Sequence, residues 1–260
     1  LAFAREVCAQ LDVPLEVLPL QRAYWDRVVA HTVKELQLGR TPSPDILCNE
    51  NVKFGAFADL IDESFTHIAT GHYARITHNA DTGRYELRRA VDRNKDQSYF
   101  LYDLSQAQLA ATQFPLGEKT KPETRKIAAA LGLHTAEKPE SQDLCLVEQH
   151  GSMKTFLEKY LAPKPGNIID TAGRVLGQHD GIQNYTIGQR KGLGIAAPNP
   201  LYVVSLDVGR NQVVVGERDS VTSTECKVHR VNWVSIAPPT GPIAADVQIR
   251  YRSQAVGATI

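Results

Sequence analysis

Segments of helical and strand periodicity alternate through the first third of the chain. After Pro163 they give way to short runs rich in glycine and β-branched residues. Alternation of the first kind builds a parallel sheet faced by helices, whereas short β runs between turn residues build antiparallel sheets or barrels. The expected architecture is an α/β parallel sheet in the first third and, after Pro163, a small antiparallel β-barrel or a pair of β modules. With 260 residues, 42% of them hydrophobic, the chain can bury one large core or two to three small ones.

Along the chain, residues 1–11 predict an amphipathic helix with Leu1, Ala4, Cys8 and Leu11 on one stripe. Pro14 ends it, and Leu15 to Leu20 reads as a short buried strand. A second helix covers 22–37, with Gly39 as its C-cap. A loop carrying Cys48 follows, then a helix over 51–62. A strand runs from Thr66 to Thr70 and ends at Gly71-His72-Tyr73. Ala74 to Arg89 reads as a hairpin turning at Asp81 to Arg84, and Asn94 to Ser98 as a polar turn. Helices are expected at 105–112, at 122–131 (Pro122 in its first turn, Gly132 at its C-cap) and at 152–161. Tyr202 to Val215 reads as a hairpin turning at Val208 to Asn211. Cys226 to Val234 and Val247 to Tyr251 read as further strands.

Composition removes several classes. No apolar run is long enough to span a membrane. A net charge of +0, 22% charged residues and the lack of a signal-peptide pattern read as cytoplasmic. Neutral net charge does not bear on nucleic-acid binding, because one face can be basic while the rest is acidic. Four cysteines without a C-x-x-C spacing argue against a zinc ribbon or a thioredoxin-type motif. Leu1 is not an initiator methionine and the single Met is Met153, so a piece of a longer protein is expected.

The chemistry concentrates in a few segments. Cys48 and Cys145 each follow an aspartate and turn-forming residues, in Pro44-Asp45-Ile46-Leu47-Cys48 and Ser141-Gln142-Asp143-Leu144-Cys145, which suits thiols presented for reaction. Cys8 and Cys226 read as small buried hydrophobes. Asp45 stands three residues before Cys48; it either caps the following turn, the better reading on spacing alone, or serves as an acid/base group. Gly71 and His72 sit at the C-terminal end of a parallel strand, the edge at which open α/β sheets bind ligands. There Gly71 allows a nucleotide to approach and His72 can contact a phosphate or a base. Lys95-Asp96-Gln97 offers a cation, a carboxylate and an amide in one turn. Tyr185 to Gly194, preceded by the glycine-rich turn Gly177 to Gly181 with His179, is either a basic phosphate-contacting loop or a tight turn between β modules. Neither G-x-G-x-x-G nor G-x-x-x-x-G-K-[ST] occurs.

Taken together, the chain resembles the tRNA-specific 2-thiouridylases, the MnmA/TrmU family. The matching segments, in order, are Thr41 to Asn49, Val52-Lys53-Phe54-Gly55, Thr70 to Arg75, Lys95 to Leu101, Ser141 to Cys145, Tyr185 to Gly194 and Ile249 to Arg252. They cover nearly the whole chain, and the set is far more specific than any member. The resemblance implies a PP-loop ATPase-like sheet lacking its first strand and loop. That domain would comprise 1–111 with 133–160, a central domain 112–132 with 161–222, and an incomplete barrel 223–260. It implies sulfur transfer to C2 of the wobble uridine in tRNAs for Glu, Gln and Lys, with ATP and Mg, and a partner that donates sulfur, a cysteine desulfurase or relay carrier. Cys145 would carry the persulfide and Cys48 would resolve it, leaving a transient disulfide. Asp45 would be the acid/base residue, and Ser43, Pro44 and Asp45 would meet the target base. Gly71 would bind ATP, and His72, Lys95, Asp96, Gln97, Arg250 and Tyr251 would contact tRNA.

Two departures stand out. Ser43 replaces the family's usual Asn, losing a paired donor and acceptor. The family's Ser-Gly-Gly-x-Asp-Ser pyrophosphate loop does not occur in the 260 residues, so activity is expected of a longer parent protein. Three other readings stay open on the residues alone. They are an RNA-binding module without chemistry, a thiol–disulfide oxidoreductase, and an enzyme in which Asp45, Cys48 and Cys145 ligate an iron–sulfur cluster with one open iron site.

Overall fold

The computed structural model describes residues 1–139, 155–156 and 158–260, which fall into two compact units. The first unit comprises 1–23, the described part of 45–140, and 230–260. The second comprises 24–44 and the described part of 141–229.

In the first unit the helix Ala2–Gln10 buries none of its residues. It docks through polar and ring contacts. Phe3 stacks on His134 at 5.6 Å, and the Glu6 carboxylate lies 3.0 Å from His134 Nε2. The Gln10 amide donates to the carbonyls of Leu131 and Gly132 at 3.1 and 3.0 Å. Those carbonyls close the helix Lys121–Ala130, so Gln10 satisfies acceptors that a helix end leaves open. That helix opens on a Thr120/Glu123 capping box. It ends with Gly132 at φ +67, whose N–H and that of Leu133 donate back to Ala129 and Ala128. Cys8 is half-buried here, not the core residue the stripe suggested.

A hairpin pairs Ala74–Asn79 with Arg84–Arg89, in register from Ala74 opposite Arg89 to Asn79 opposite Arg84. Asn79 Oδ1 accepts from the Asp81 and Thr82 N–H groups and holds the turn. The parallel element is a short pair, Ile68–Ala69 with Thr112–Gln113. The helix expected at 105–112 therefore stops at Ala110, because Thr112 is drawn into the sheet. Phe54, Ala74, Leu101, Leu104, Leu109 and Phe114 form the core. Gly117 crosses the hairpin so closely that a Cβ there would lie 1.8 Å from the Ala74 carbonyl oxygen.

Two expected strands do not form, and a third is displaced. Leu15 to Leu20 has no neighbouring strand among the described residues, and Leu15 and Val17 are exposed. Cys226 to Val234 runs as irregular chain, and Cys226 is exposed where a buried hydrophobe was expected. Side chains take the place of a ladder there: Arg84 donates to Trp233 O and Gln106 to Val234 O, each at 2.7 Å. The strand read at Val247 to Tyr251 instead covers Ala244–Val247, paired antiparallel with Val256–Thr259. Gln248 ends it by turning its amide onto the Arg250 and Tyr251 carbonyls.

In the second unit, Tyr24 to Gln37 continues one helix that widens to π-type turns over Trp25–Val29 and returns to α over Ala30–Gln37. Gly39 (φ +71) closes it: Gly39 N–H donates to Leu36 O and Arg40 N–H to Glu35 O. Val29, Leu36, Phe156 and Leu161 pack together. The sheet runs Val175–His179, Gly166–Asp170, Gln212–Gly216, Tyr202–Asp207, with its central pair parallel and its outer pairs antiparallel. Among the described residues it is an open mixed sheet, in the stretch expected to hold the central domain, and the incomplete barrel expected over 223–260 is represented by the antiparallel pair Ala244–Val247 and Val256–Thr259 alone. The connection from His179 to Tyr202 lies over its face and places Ile182, Tyr185 and Leu193 in one core with Ile168, Val203, Val213 and Val215. The glycine-rich segment Tyr185 to Gly194 is thus a packed turn. Gly188 N–H donates to Val203 O, and Gln189 bridges the Thr186 N–H and the Lys191 carbonyl, while Arg190 and Lys191 stay exposed.

Candidate active site and tRNA-binding face

Cys48 does not sit on a loop. Pro44–Cys48 is a helix that widens into π-type turns over Asn49–Ala56. The signal was Ser43-Pro44-Asp45: proline fits the first helical turn, where its missing N–H costs nothing, and an acid there suits the helix dipole. Asp45 and Cys48 are three apart on this helix and share a face. Cys48 is half-buried. Asp45 keeps solvent-accessible surface, yet its crowded surroundings desolvate the carboxyl and push its pKa up, with the Lys53 charge partly opposing.

Sequence reasoning passed over Asn49 and Lys53 as site residues. Asn49 is 2% exposed, and its amide donates to Phe100 O at 2.9 Å. Its oxygen accepts from Lys53 Nζ at 2.9 Å. Spacings of four residues place Asp45, Asn49 and Lys53 along one side of the helix. A buried Asn fixing a Lys four residues on could have been suspected from the spacing alone.

His72 is 9% exposed, with its ring 6.0 Å from Phe54 and 5.8 Å from Phe114. Burial first, and the Lys53 charge second, lower its pKa from 6.5 to about 4. Nδ1 lies 2.8 Å from Thr70 Oγ1. At neutral pH this imidazole carries no charge to attract a phosphate, so a role toward nucleic acid is that of a neutral hydrogen-bonding group. Gly71 beside it is not required by the protein: a Cβ there would meet only Leu116 Cδ1, at 3.9 Å.

The fold brings together the segments expected to contact tRNA. Tyr73 N–H donates to Gln97 Oε1 at 3.0 Å, and Gln97 N–H to Tyr73 O at 2.8 Å. Asp96 uses its carboxylate within the turn, accepting from Ala90 N–H at 2.8 Å and Ser98 Oγ at 2.7 Å. Tyr251 reaches the same turn: its hydroxyl donates to Asp96 O at 3.5 Å, and its ring lies 4.5 Å from that of Phe100. Tyr99 donates to Ile249 O at 3.2 Å. Gly71 to Tyr73, Lys95 to Gln97 and Arg250-Tyr251 therefore belong to one connected surface. Asn49 ties the Asp45–Cys48 helix to it through Phe100. Asp96 and the Gln97 oxygen build this surface, leaving the Gln97 amide nitrogen as the side-chain donor of that pair.

Ser43 and Pro44 lead into this helix, both half-buried. Cys145 lies outside the described residues, as do residues 152–154 and 157 of the helix expected at 152–161. Of the proposed iron–sulfur ligands only Asp45 and Cys48 can be placed; among the described residues no group of three His, Cys, Asp or Glu side chains converges on a metal position. No described helix is long and apolar enough to cross a membrane.

Comparison with known proteins sets these features in a class. The tRNA methyl transferase HUP domain family matches residues 1–149, and the tRNA methyl transferase PRC-barrel domain family matches residues 154–217. The chain is thus a HUP-type α/β protein, the PP-loop ATPase-like class, joined to a PRC-barrel domain. Relatives named tRNA-specific 2-thiouridylase MnmA align over nearly its whole length. That of Nostoc punctiforme is 58% identical over 99% of this chain and 74% of its own, and that of a Nostoc species 60% over the same shares. That of Acaryochloris marina is 54% identical over 100% of this chain and 74% of its own. The chain belongs to the MnmA family of tRNA-specific 2-thiouridylases.

Proposed function

We propose that this protein replaces the C2 oxygen of the wobble uridine in tRNAs for Glu, Gln and Lys with sulfur. The observation that carries the reading is the Asn49 link. It ties the helix bearing Asp45 and Cys48 to the surface formed by Lys95 to Gln97 and Tyr251. The Cys48 thiol and the segments expected to contact RNA thus share one compact unit, which neither a pure RNA-binding module nor a thiol–disulfide oxidoreductase requires.

ATP, with Mg, supplies the adenylyl group that turns the C2 oxygen into a leaving group. Gly71 fits a nucleotide's approach, because a Cβ there would meet the protein only at Leu116 Cδ1, 3.9 Å away. Ser43, Pro44 and Asp45 meet the base once it has left its stack. Desolvation raises the Asp45 pKa, which makes its carboxyl a better proton acceptor than an ordinary aspartate. The terminal sulfur of a Cys145 persulfide forms a bond to C2 as AMP departs. Cys48 thiolate then attacks Cys145 Sγ, breaking the bond to the transferred sulfur. The products are 2-thiouridine and a Cys48–Cys145 disulfide, which a cellular dithiol reduces before the next cycle. The sulfur comes from a cysteine desulfurase or relay protein, and the compartment is the cytoplasm. The catalytic domain spans 1–111 and 133–160, the central domain 112–132 and 161–222, and a separate C-terminal barrel begins at 223.

Nucleoside mass spectrometry tests this. Unmodified tRNA for Glu is incubated with the protein, ATP, Mg and a cysteine desulfurase with cysteine as persulfide donor, beside Cys145→Ala. ATP-dependent 2-thiouridine with the wild type and none with the variant is expected. A methylated uridine, or an unmodified one from folded, tRNA-bound protein, overturns the reading.

A further inference from the structure

The connected surface carries more aromatic side chain than the tRNA contacts above use. Tyr99 lies at the centre of a ring cluster, 5.4 Å from Phe100, 6.4 Å from Tyr102 and 5.7 Å from Tyr251. Phe100 closes it against Tyr251. Two of these rings face water over much of their area: Tyr102 is 45% exposed and Tyr251 39%. Neither tyrosine is loosely hung. Leu101 and Leu104, each 1% exposed, anchor the backbone on either side of Tyr102. The Asn232 amide ties down the Tyr102 and Leu104 carbonyls at 2.8 and 3.1 Å. Tyr251 is held by its own hydroxyl against the Asp96 carbonyl.

We propose that Tyr102 and Tyr99, with Tyr251, form a stacking platform for an unstacked nucleobase of the tRNA loop, a second base-binding position distinct from the target-base contacts of Ser43, Pro44 and Asp45. Rigid, exposed aromatic rings are what single-stranded RNA recognition uses, because every base offers a π face and the ring loses little freedom on binding. Burial and the nearby Asp103 push the Tyr102 pKa up from its ordinary 10.0. Lys95 and Arg250, adjacent in sequence to Asp96 and Tyr251, bring cations to the same turns, a charge sign that suits phosphates flanking a stacked base. A protein partner would equally bury tyrosines but would not need cations at both edges. RNA as the occupant rests on the functional reading given above.

Salt dependence separates stacking from charge contacts, because a stacked base releases no counterions. Dissociation constants for unmodified tRNA and for its isolated anticodon stem-loop are measured across a salt series with wild type, Tyr102→Ala, Tyr102→Phe, Tyr102→Leu and Arg250→Ala. Tyr102→Ala and Tyr102→Leu should weaken binding of both RNAs about tenfold, with the slope of log Kd against log salt unchanged. Tyr102→Phe should bind as wild type does. Arg250→Ala should lower the slope by about one. Tyr102→Ala or Tyr102→Leu binding like wild type overturns the platform while leaving the thiolation reading intact, as does a Tyr102→Phe loss as large as that of Tyr102→Ala. A wild type that binds neither RNA overturns both.

Discussion

Lys53 donates to the Asn49 amide oxygen at 2.9 Å, and Asn49 donates in turn to the Phe100 carbonyl at 2.9 Å. One buried amide thus fixes a cation on the same helix side as Asp45 and ties that helix to the aromatic cluster. The Lys53 charge lowers the pKa of both Asp45 and His72. Replacing it, Lys53→Met, should raise the Asp45 pKa above its already elevated position and move that of His72 back toward 6.5. Carbon-detected titration of the Asp45 carboxyl and proton NMR of the His72 ring would read both. An Asp45 titration identical in Lys53→Met and wild type would exclude the electrostatic role.

Asn49→Ala removes the donor to Phe100 and the acceptor for Lys53. Because Asn49 is 2% exposed, the Phe100 carbonyl loses its partner inside the fold. A loss of about 1–3 kcal/mol in urea unfolding is expected. Asn49→Asp restores an acceptor for Lys53 but not the donor, so it should recover only part of that stability.

His72 makes stability depend on acid. Its folded pKa is about 4 against the ordinary 6.5, so below pH 6.5 the unfolded chain binds a proton that the folded chain refuses. The stabilisation is complete above pH 6.5 and declines as pH falls toward 4, by roughly 3 kcal/mol across the window. His72→Gln should flatten that part of the stability curve, measured by denaturant midpoints at successive pH values.

Gly117→Ala tests the close crossing of the hairpin. The added methyl would meet the Ala74 carbonyl, which cannot move without disturbing the Ala74–Arg89 pairing. Destabilisation beyond about 3 kcal/mol is expected. Gly83→Ala, where a Cβ meets nothing within 4 Å, should cost only the strain of φ +65, on the order of 1 kcal/mol.

Cys48→Ala should stop the cycle after sulfur has reached the base. The tRNA then stays attached to Cys145 through the transferred sulfur, and dithiothreitol should release it as 2-thiouridine. A denaturing gel showing a thiol-sensitive protein–RNA band would support the resolving role; free product at the wild-type rate would remove it.

Local sequence decided what depends on neighbours within one turn. The caps at Gly39 and Gly132, the Pro122 helix start and the hairpins at Ala74 to Arg89 and Tyr202 to Val215 were legible, because each is closed by bonds a few residues apart. The motif order was also enough to single out Asp45, Cys48 and the segments expected to contact tRNA. Leu15 to Leu20 and Cys226 to Val234 were misread because β-rich composition states a preference, while a strand exists only where a neighbour supplies its hydrogen bonds. The helix at Pro44–Cys48 was misread because two prolines outweighed a valid start signal.

Only tertiary structure decided that His72 is neutral, that Asp96 holds a turn, and that Tyr251 and Asp96 touch across 155 positions of sequence. The sequence determined which chemical groups the protein owns and where helices and turns begin. Desolvation, and contact between segments remote in the chain, exist only once the chain has closed on itself, so which charges survive and which rings face water were settled by packing.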